Sequence, residues 1–389
     1  MRSRFLAVLA SVGALAMAGG GSALGDTITF GAPLCLTGDQ APLDTPGFRG
    51  AQVAIKALND QGGLLGQQVE MVAIDGKTDP VTVGNAAVEL IDDGADFILA
   101  PCDFDFGGPA SRAAQESGLV GLSLCASDPL YSSWSLGDKQ FTLSMWNTTM
   151  GATAAEYAIN ERGWKNAYVV TDQFIAYTVS LSKYFVEHFK ALGGNILAED
   201  TYNNGDNDFS AQLARLQALD EKPDVIFISS YGQDIGFIIR SLREVGYDAP
   251  VLGGDSYDDP AMIQSLGPLG NDIYFVTHTF MSSEAHPEMD QFIGLFEDMF
   301  NEPPDTSFVA TGWDAVMLLA QAAEIAGTTD GAAVAKVLEE NVFSLLTGDL
   351  TYRNAEEGHA PDKAAVLVEV KGAETHFLGW RTPSNVPAP

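Results

Sequence analysis

The sequence has few cysteines and few histidines, and it lacks the common catalytic motifs. Three cysteines in 389 residues are too few for a disulfide-stapled scaffold. The five histidines are scattered without the spacing of metal ligands, so no metal site is expected. There is no His-Glu-x-x-His pair, no Walker-type glycine loop and no Gly-x-Ser-x-Gly elbow. These absences predict that the protein is not an enzyme and that it has no resident cofactor.

Positive charge is also scarce. The chain has 20 Lys and Arg against 52 Asp and Glu, a formal net charge of −32. A surface this acidic repels nucleic acid and anionic lipid, which excludes both as expected partners. Solvation in a saline habitat explains the excess of acid better than a specific cationic partner does.

The only run typical of a targeting segment lies at the start of the chain. Met1 to Gly25 has Arg2 and Arg4, then an apolar run from Phe5 to Ala18, then small residues, which is the layout of a cleavable secretory signal. Its removal takes the formal net charge to −34. No later stretch is continuously apolar enough to span a membrane, so we expect an exported, soluble chain located in the periplasm.

A length of 389 residues predicts two domains. Strand and helix patterns alternate along the first half, which indicates a doubly wound α/β domain. The alternation starts again near Met150 and continues to Thr277, so we expect two lobes of similar architecture. Three helical patterns and a strand at Ala364 to Val370 follow, and the residues after Trp380 are expected to be frayed.

The central unit of the first half is a strand, a helix and a strand. The strands are Asp96 to Ala100 and Leu119 to Leu124, with a helix predicted at Ser111 to Ser117. Ligands of open parallel sheets sit beyond the carboxyl ends of the strands. The loops Cys102 to Gly108 and Cys125 to Pro129 are therefore predicted to form one wall of a ligand pocket, or else to be plain connections.

The order and spacing of several motifs resemble the periplasmic leucine/isoleucine/valine-binding protein family, the type I solute-binding proteins of ABC importers. The resemblance spans nearly the whole chain after the signal. The segments that carry it are Phe48-Arg49-Gly50-Ala51, Asn59-Asp60-Gln61-Gly62-Gly63, Asp75 with Thr78-Asp79-Pro80, Gly118 through Ser123, Ala126-Ser127-Asp128-Pro129, Thr171-Asp172 with Tyr177, Asp208-Phe209-Ser210 and Gly253-Gly254-Asp255.

This resemblance implies an α/β fold of two doubly wound parallel-sheet lobes joined by a three-segment hinge that closes on a ligand. Lobe one would comprise residues 26–147 plus 278–347, lobe two 148–277 plus 348–380, and the frayed tail 381–389. The crossings would lie near Asn147, His278 and Gly348.

The resemblance also implies the ligand-binding residues of the first lobe. The loop of Cys125, Ala126 and Ser127 and the loop of Asp103 and Phe104 would grip a ligand carboxylate through backbone N–H groups and hydroxyls. The Ser127 hydroxyl can donate to an anion or a carbonyl oxygen. Phe104 lies at a position where relatives usually have serine, so only its backbone N–H can donate to the ligand carboxylate.

On the second lobe, Asp255 matches the acidic residue that pairs with the ammonium of amino-acid ligands, and Tyr177 and Tyr231 match aromatic positions of the pocket. Asp103 and Asp105, with Asp258 and Asp259, place further carboxylates at the rim. That charge favours a zwitterion, a cation-bearing amide or amine, or a polyol.

The three cysteines, Cys35, Cys102 and Cys125, all lie near the carboxyl ends of first-lobe strands. Adjacent strand ends can bring Cys102 close to either of the others, so Cys102 is predicted to be bridged, with its partner left open.

We therefore predict the substrate-binding subunit of an ABC importer of the branched-chain amino acid type, a monomer that captures a small polar solute and delivers it to a permease in the inner membrane. The alternatives are a ligand-sensing partner of a membrane receptor, the same carrier with a ligand that is not an amino acid, and, more remotely, an exported hydrolase.

Overall fold

The computed structural model describes residues 27–206 and 208–389, so the signal predicted at Met1 to Gly25 lies outside the described residues. The first part of the chain forms a five-stranded parallel sheet in the spatial order second, first, third, fourth, fifth. Its strands in chain order are β1 (Ile28–Ala32), β2 (Val69–Ala73), β3 (Phe97–Ala100), β4 (Val120–Ser123) and β5 (Gln140–Thr142). Its helices are α1 (Ala41–Asp60), α2 (Pro80–Asp92), α3 (Phe104–Glu116) and α4 (Ser133–Leu136).

A second sheet of seven strands repeats this order. Five of its strands are parallel and follow the same sequence of neighbours as the first sheet. They are β6 (Asn166–Asp172), β7 (Asn195–Tyr202), β8 (Val225–Ser229), β9 (Val251–Gly253) and β10 (Ile273–Thr277). The helices of this part are α5 (Asn147–Glu156), which continues into a π-helical turn (Tyr157–Glu161), α6 (Ala176–Ala191), α7 (Ser210–Gln217), α8 (Asp234–Glu244) and α9 (Pro260–Leu266). The predicted architecture of two similar α/β lobes is confirmed.

The last part of the chain forms three helices, a small antiparallel sheet and two strands that join the second sheet. Helices α10 (Met289–Phe300), α11 (Ser307–Ala326) and α12 (Gly331–Glu340) precede a three-stranded antiparallel sheet of β11 (Phe343–Leu345), β12 (Gly348–Tyr352) and β13 (Pro361–Lys363). Strands β14 (Ala365–Lys371) and β15 (Glu374–Arg381) then join the edge of the second sheet, antiparallel to their neighbours.

Helices α1 and α11 cross with their backbones in contact, and glycines make this possible. A Cβ atom at Gly50 would lie 1.8 Å from the Val309 carbonyl oxygen, and one at Gly312 would lie 1.7 Å from the Gly47 carbonyl oxygen. Any side chain at these positions would force the helices apart. This contact gives a physical reason for Gly50 in the motif Phe48-Arg49-Gly50-Ala51.

Helix α11 corrects one expectation from the sequence. Within the described part of the chain it is the helix whose length and mean hydropathy of 1.2 would allow it to cross a membrane. We expected no segment of this kind after the signal. Because 72% of its apolar window is buried inside the protein, largely against α1, its composition is that of a core helix.

Several element boundaries differ from those expected. Helix α1 begins six residues before Gly47, and α3 begins at Phe104 instead of Ser111. The prolines and glycines that favoured loops lie inside these helices, where Pro46 and Pro109 are accommodated. The segment 102–108, expected to be a loop, is therefore mostly the first two turns of α3.

Candidate functional site

The carboxyl ends of the strands of both sheets face each other, and side chains connect them directly. The Tyr231 hydroxyl, two residues beyond β8, donates to the Gln40 amide oxygen at the start of α1. The Asp105 carboxylate, in the first turn of α3, accepts from the Ala176 backbone N–H at the start of α6, 3.0 Å away. Strand-end residues from the two lobes therefore meet in one closed cleft.

On the first-lobe side, Asp103 occupies the position before α3 with φ +66°, a conformation that non-glycine residues rarely adopt. An Asp at this position usually caps the helix, but the Asp103 side chain does not. Its Oδ2 is buried with no hydrogen-bond partner in residues 27–206 and 208–389. Phe104 is half-buried, and its ring lies beside the Arg112 guanidinium, 5.6 Å from ring centre to the guanidinium carbon, on the same helix.

In the second loop of this lobe, Cys125 forms a disulfide with Cys102, with a Cα–Cα distance of 4.6 Å. The prediction that Cys102 is bridged is confirmed, and Cys35 remains a buried free thiol. The Ala126 backbone N–H donates to the Ser123 hydroxyl at 3.0 Å, so it is already engaged within the protein. The Ser127 hydroxyl is buried and has no hydrogen-bond partner in the part of the chain that the structure describes.

On the second-lobe side, Tyr177 lies in the first turn of α6 with its hydroxyl 3.2 Å from the Ser256 hydroxyl. Asp255 follows β9 and opens a short 3-10 helix. Its Oδ2 lies 2.9 Å from Nε2 of His278, which follows directly after β10. Strands β9 and β10 are neighbours in the sheet, and that adjacency brings these two residues together.

Two residues of the cleft were missed by the sequence analysis. Gln40 and His278 both touch predicted site residues, yet His278 was counted only as one of the scattered histidines and as a crossing point. The signal was available, because His278 directly follows a strand of the second sheet just as Asp255 does. Gln40 had no comparable signal, since its role depends on Tyr231, 191 residues away.

Buried polar atoms without a protein partner concentrate at this cleft. Such atoms are few in folded proteins, and each needs an explanation. Among the described residues, five of the ten lie within five residues after the carboxyl end of a strand. They are Asp103 Oδ2, Ser127 Oγ, Trp146 Nε1, Asn147 Oδ1 and His278 Nδ1.

Residues 27–375 match the model of a family described as periplasmic binding protein. The chain belongs to this family. Its relatives include a Leu/Ile/Val-binding protein homolog 1 of Brucella melitensis, 28% identical over 366 residues that cover 94% of this chain and 96% of the relative. Another is the leucine-, isoleucine-, valine-, threonine-, and alanine-binding protein of Pseudomonas aeruginosa, 24% identical over 84% of this chain and 86% of the relative.

Solved structures agree with this membership. The leucine-binding protein LivK of Thermotoga maritima superposes on this periplasmic binding protein with a TM-score of 0.82 at 25% identity, covering 92% of this chain and 99% of the other. A solute-binding protein of R. palustris in complex with benzoate gives a TM-score of 0.79 at 23% identity, covering 93% and 98%. The predicted family and fold class are confirmed, and the class of the protein is that of solute-binding proteins.

Carboxylates dominate the electrostatics of the cleft in this periplasmic binding protein. Asp44 is fully buried and accepts from the Cys35 and Cys102 backbone N–H groups at 2.8 and 2.9 Å, which ties the ends of β1 and β3 together. Burial raises its pKa to about 7. Burial also raises the pKa of Asp103 well above its ordinary value, and the charges of Asp255 and Asp105 raise it further. Burial lowers the pKa of His278, although Asp255 opposes that shift.

The raised pKa values of the buried aspartates predict that the protein is more stable in mild acid than in mild base, while the lowered pKa of His278 acts in the opposite direction. The native pKa of Asp44 lies above its unfolded value, so its stabilising effect is full below the unfolded pKa and is lost as the pH rises through about 7. Between about pH 8 and pH 5.5 this single group adds about 2 kcal/mol to the free energy of unfolding. Asp258, whose pKa burial raises to about 6, acts in the same direction.

Urea unfolding of the mature protein at both pH values measures this difference. Asp44→Asn should lower stability at every pH, because the amide cannot accept both backbone N–H groups, and it should flatten the pH dependence. A free energy of unfolding that increases from pH 5.5 to pH 8 would contradict the assignment.

Proposed function

We propose that this protein is the periplasmic ligand-capturing subunit of an ABC importer and that it binds a small polar solute between its two lobes. The observation that carries the proposal is the group of five buried polar atoms without partners among the described residues, contributed by the segments that follow strands β3, β4, β5 and β10. A ligand that hydrogen-bonds to these atoms offsets the cost of burying them. The leucine-binding and Leu/Ile/Val-binding names of relatives support an amino-acid-like ligand.

We further propose that the lobes exchange chain at three crossings. The first two lie at Asn147 and His278, as the sequence suggests. The third lies at Ala364 instead of Gly348, because the segment of β12 and β13 packs on the first lobe. There the Tyr352 ring contacts the Phe141 ring at 4.9 Å.

In the proposed complex, Asp255 receives a ligand ammonium or hydroxyl, and the Ser127 hydroxyl bonds a ligand oxygen. Tyr177 and Tyr231 provide apolar contact with polar tips. His278, which already holds the Asp255 carboxylate, keeps that group oriented toward the ligand. Closure of the hinge then presents a shape that a permease in the inner membrane can distinguish from the open form.

A thermal-shift screen of the mature protein across amino acids, amides, amines, sugars and aromatic acids tests this function. A ligand that binds only the folded state raises the melting temperature. Ser127→Ala should remove most of the shift, whereas Ser265→Ala should keep it, because the Ser265 hydroxyl bonds Met262 within its own helix. The proposal fails if no solute binds, or if the bound solute is released chemically altered.

The contact between Asp105 and α6 predicts a specific effect on closure. Asp105→Ala should shift the protein toward the open form, because a carboxylate at a helix N-terminus contributes about 1–2 kcal/mol and this contact spans the cleft. Small-angle scattering should show a larger radius of gyration. Asp330→Ala is the matched control, since Asp330 caps α12 within one lobe at 3.0 Å. Equal radii of gyration for the two variants would show that Asp105 does not hold the lobes together.

A further inference from the structure

Asp103 lies in the cleft with a backbone conformation that is unfavourable for a residue other than glycine. Its backbone has φ +66°, and only 4% of the residue is exposed. Its carboxylate does not make the helix cap that an Asp before a helix normally makes, and Oδ2 has no hydrogen-bond partner among the described residues. A strained residue with a buried, unpartnered acceptor indicates a function for that acceptor.

The groups that face Asp103 carry negative charge or none. On the first lobe these are the carboxylates of Asp44 and Asp105 and the Gln40 amide, and across the cleft they are the Asp255 carboxylate and the Tyr231 hydroxyl. No lysine or arginine among the described residues forms an ion pair with Asp103, Asp44 or Asp255. Among the described residues, His278 is the basic side chain that contacts one of these carboxylates, that of Asp255.

A free α-amino acid fits this arrangement poorly. Its ammonium suits Asp255, but its carboxylate would then lie beside the loops of Asp103 and Ser127, where it meets a second carboxylate. Two like charges that face each other in a water-excluded site weaken binding by several kcal/mol. An amide in place of the carboxylate removes the conflict, because its N–H₂ can donate to Asp103 while its carbonyl accepts from Ser127.

We propose that Asp103 selects for cationic solutes without a carboxylate, of the amino-acid amide class, and discriminates against the free amino acids. This inference rests on the proposed solute-binding function and deepens it. The ligand ammonium pairs with Asp255, the amide nitrogen with Asp103 and the amide oxygen with Ser127.

Isothermal titration calorimetry of the mature wild-type protein tests the proposal with three matched pairs: alanine and alaninamide, leucine and leucinamide, phenylalanine and phenylalaninamide. In at least one pair the amide should bind about tenfold or more tightly than the acid.

Two variants locate the selectivity at Asp103. Asp103→Asn and Asp103→Gly should reduce the ratio of amide to acid affinity to about one, and glycine tolerates the positive φ at this position. Asp96→Asn should leave the ratio unchanged, because Asp96 bonds the Thr29 backbone N–H at the opposite end of the strands.

The outcomes separate this inference from the proposed function. If no pair shows the amide binding more tightly than the acid, or if the Asp103 variants keep the wild-type ratio, the selectivity proposal is overturned and the solute-binding function stands. If neither these pairs nor any solute of the wider screen binds, the proposed function is overturned, and the selectivity proposal with it.

Discussion

Asp255→Asn is expected to weaken binding of an ammonium-bearing ligand by about a hundredfold or more, the largest effect of any single substitution in the cleft. Asp255 is buried, with 3% of the residue exposed. Removing one partner of a buried, hydrogen-bonded charge pair costs about 2–5 kcal/mol, because the ligand's charge is left without a counter-charge. Calorimetric titration with the tightest ligand from the thermal-shift screen measures the loss.

Asparagine retains an acceptor for His278, so the variant should fold normally. Asp259→Asn is the matched control: this neighbouring aspartate caps α9 by accepting from the Ala261 and Met262 backbone N–H groups at 2.9 and 3.1 Å. Asparagine caps a helix equally well, so affinity should stay at the wild-type value. If Asp255→Asn binds within about threefold of wild type, Asp255 serves only to hold His278.

The part of the site that could be predicted is the part that follows from parallel strands. Carboxyl ends of parallel strands share one edge of a sheet, so residues that follow such strands converge without any knowledge of their contacts. The loops of Asp103 and Ser127 were predicted in this way, whereas Tyr231 and Asp255 were predicted from the family resemblance. In the structure all four residues follow the carboxyl ends of strands. Their individual roles in ligand binding stay predictions.

Predictions from local sequence were wrong where tertiary packing outweighs local propensity. Gly107-Gly108-Pro109 favours a loop by propensity, yet these residues lie inside α3. A Cβ at Gly107 would lie 2.6 Å from the Pro101 carbonyl oxygen, so this glycine allows the helix to pack closely on the end of β3. Because the helix starts earlier than expected, Asp103 lies at its first turn with its carboxylate in the cleft.

The disulfide shows a different limit of prediction from sequence. Strand β3 has β1 on one side and β4 on the other, so neighbouring strand ends offer Cys102 two partners. What decides between them is the direction of the Cys35 side chain. Its sulfur lies toward the loop after β2, where a Cβ built at Gly76 would be 3.4 Å from it. No pattern in the sequence reports that direction.

The Cys102–Cys125 bridge should contribute strongly to stability and to the site together. Replacing both cysteines with serine is expected to lower the free energy of unfolding by about 3 kcal/mol, because the bridge closes a loop of 23 residues in the unfolded chain. Ligand affinity should also decrease, since Asp103 and Ser127 lie next to the loops that the bridge joins. Urea unfolding and calorimetric titration measure the two effects.

Cys35→Ala is the control for the loss of a buried sulfur. It removes the free thiol and leaves the bridge intact, so it should cost less stability than the double variant and leave ligand affinity unchanged. Unchanged stability in the double variant would mean that Asp44, which bonds the Cys102 backbone N–H, holds this strand end without help from the bridge. If stability decreases but ligand affinity does not change, the bridge acts on the unfolded chain alone. The bridge acts on the native site only if stability and affinity decrease together.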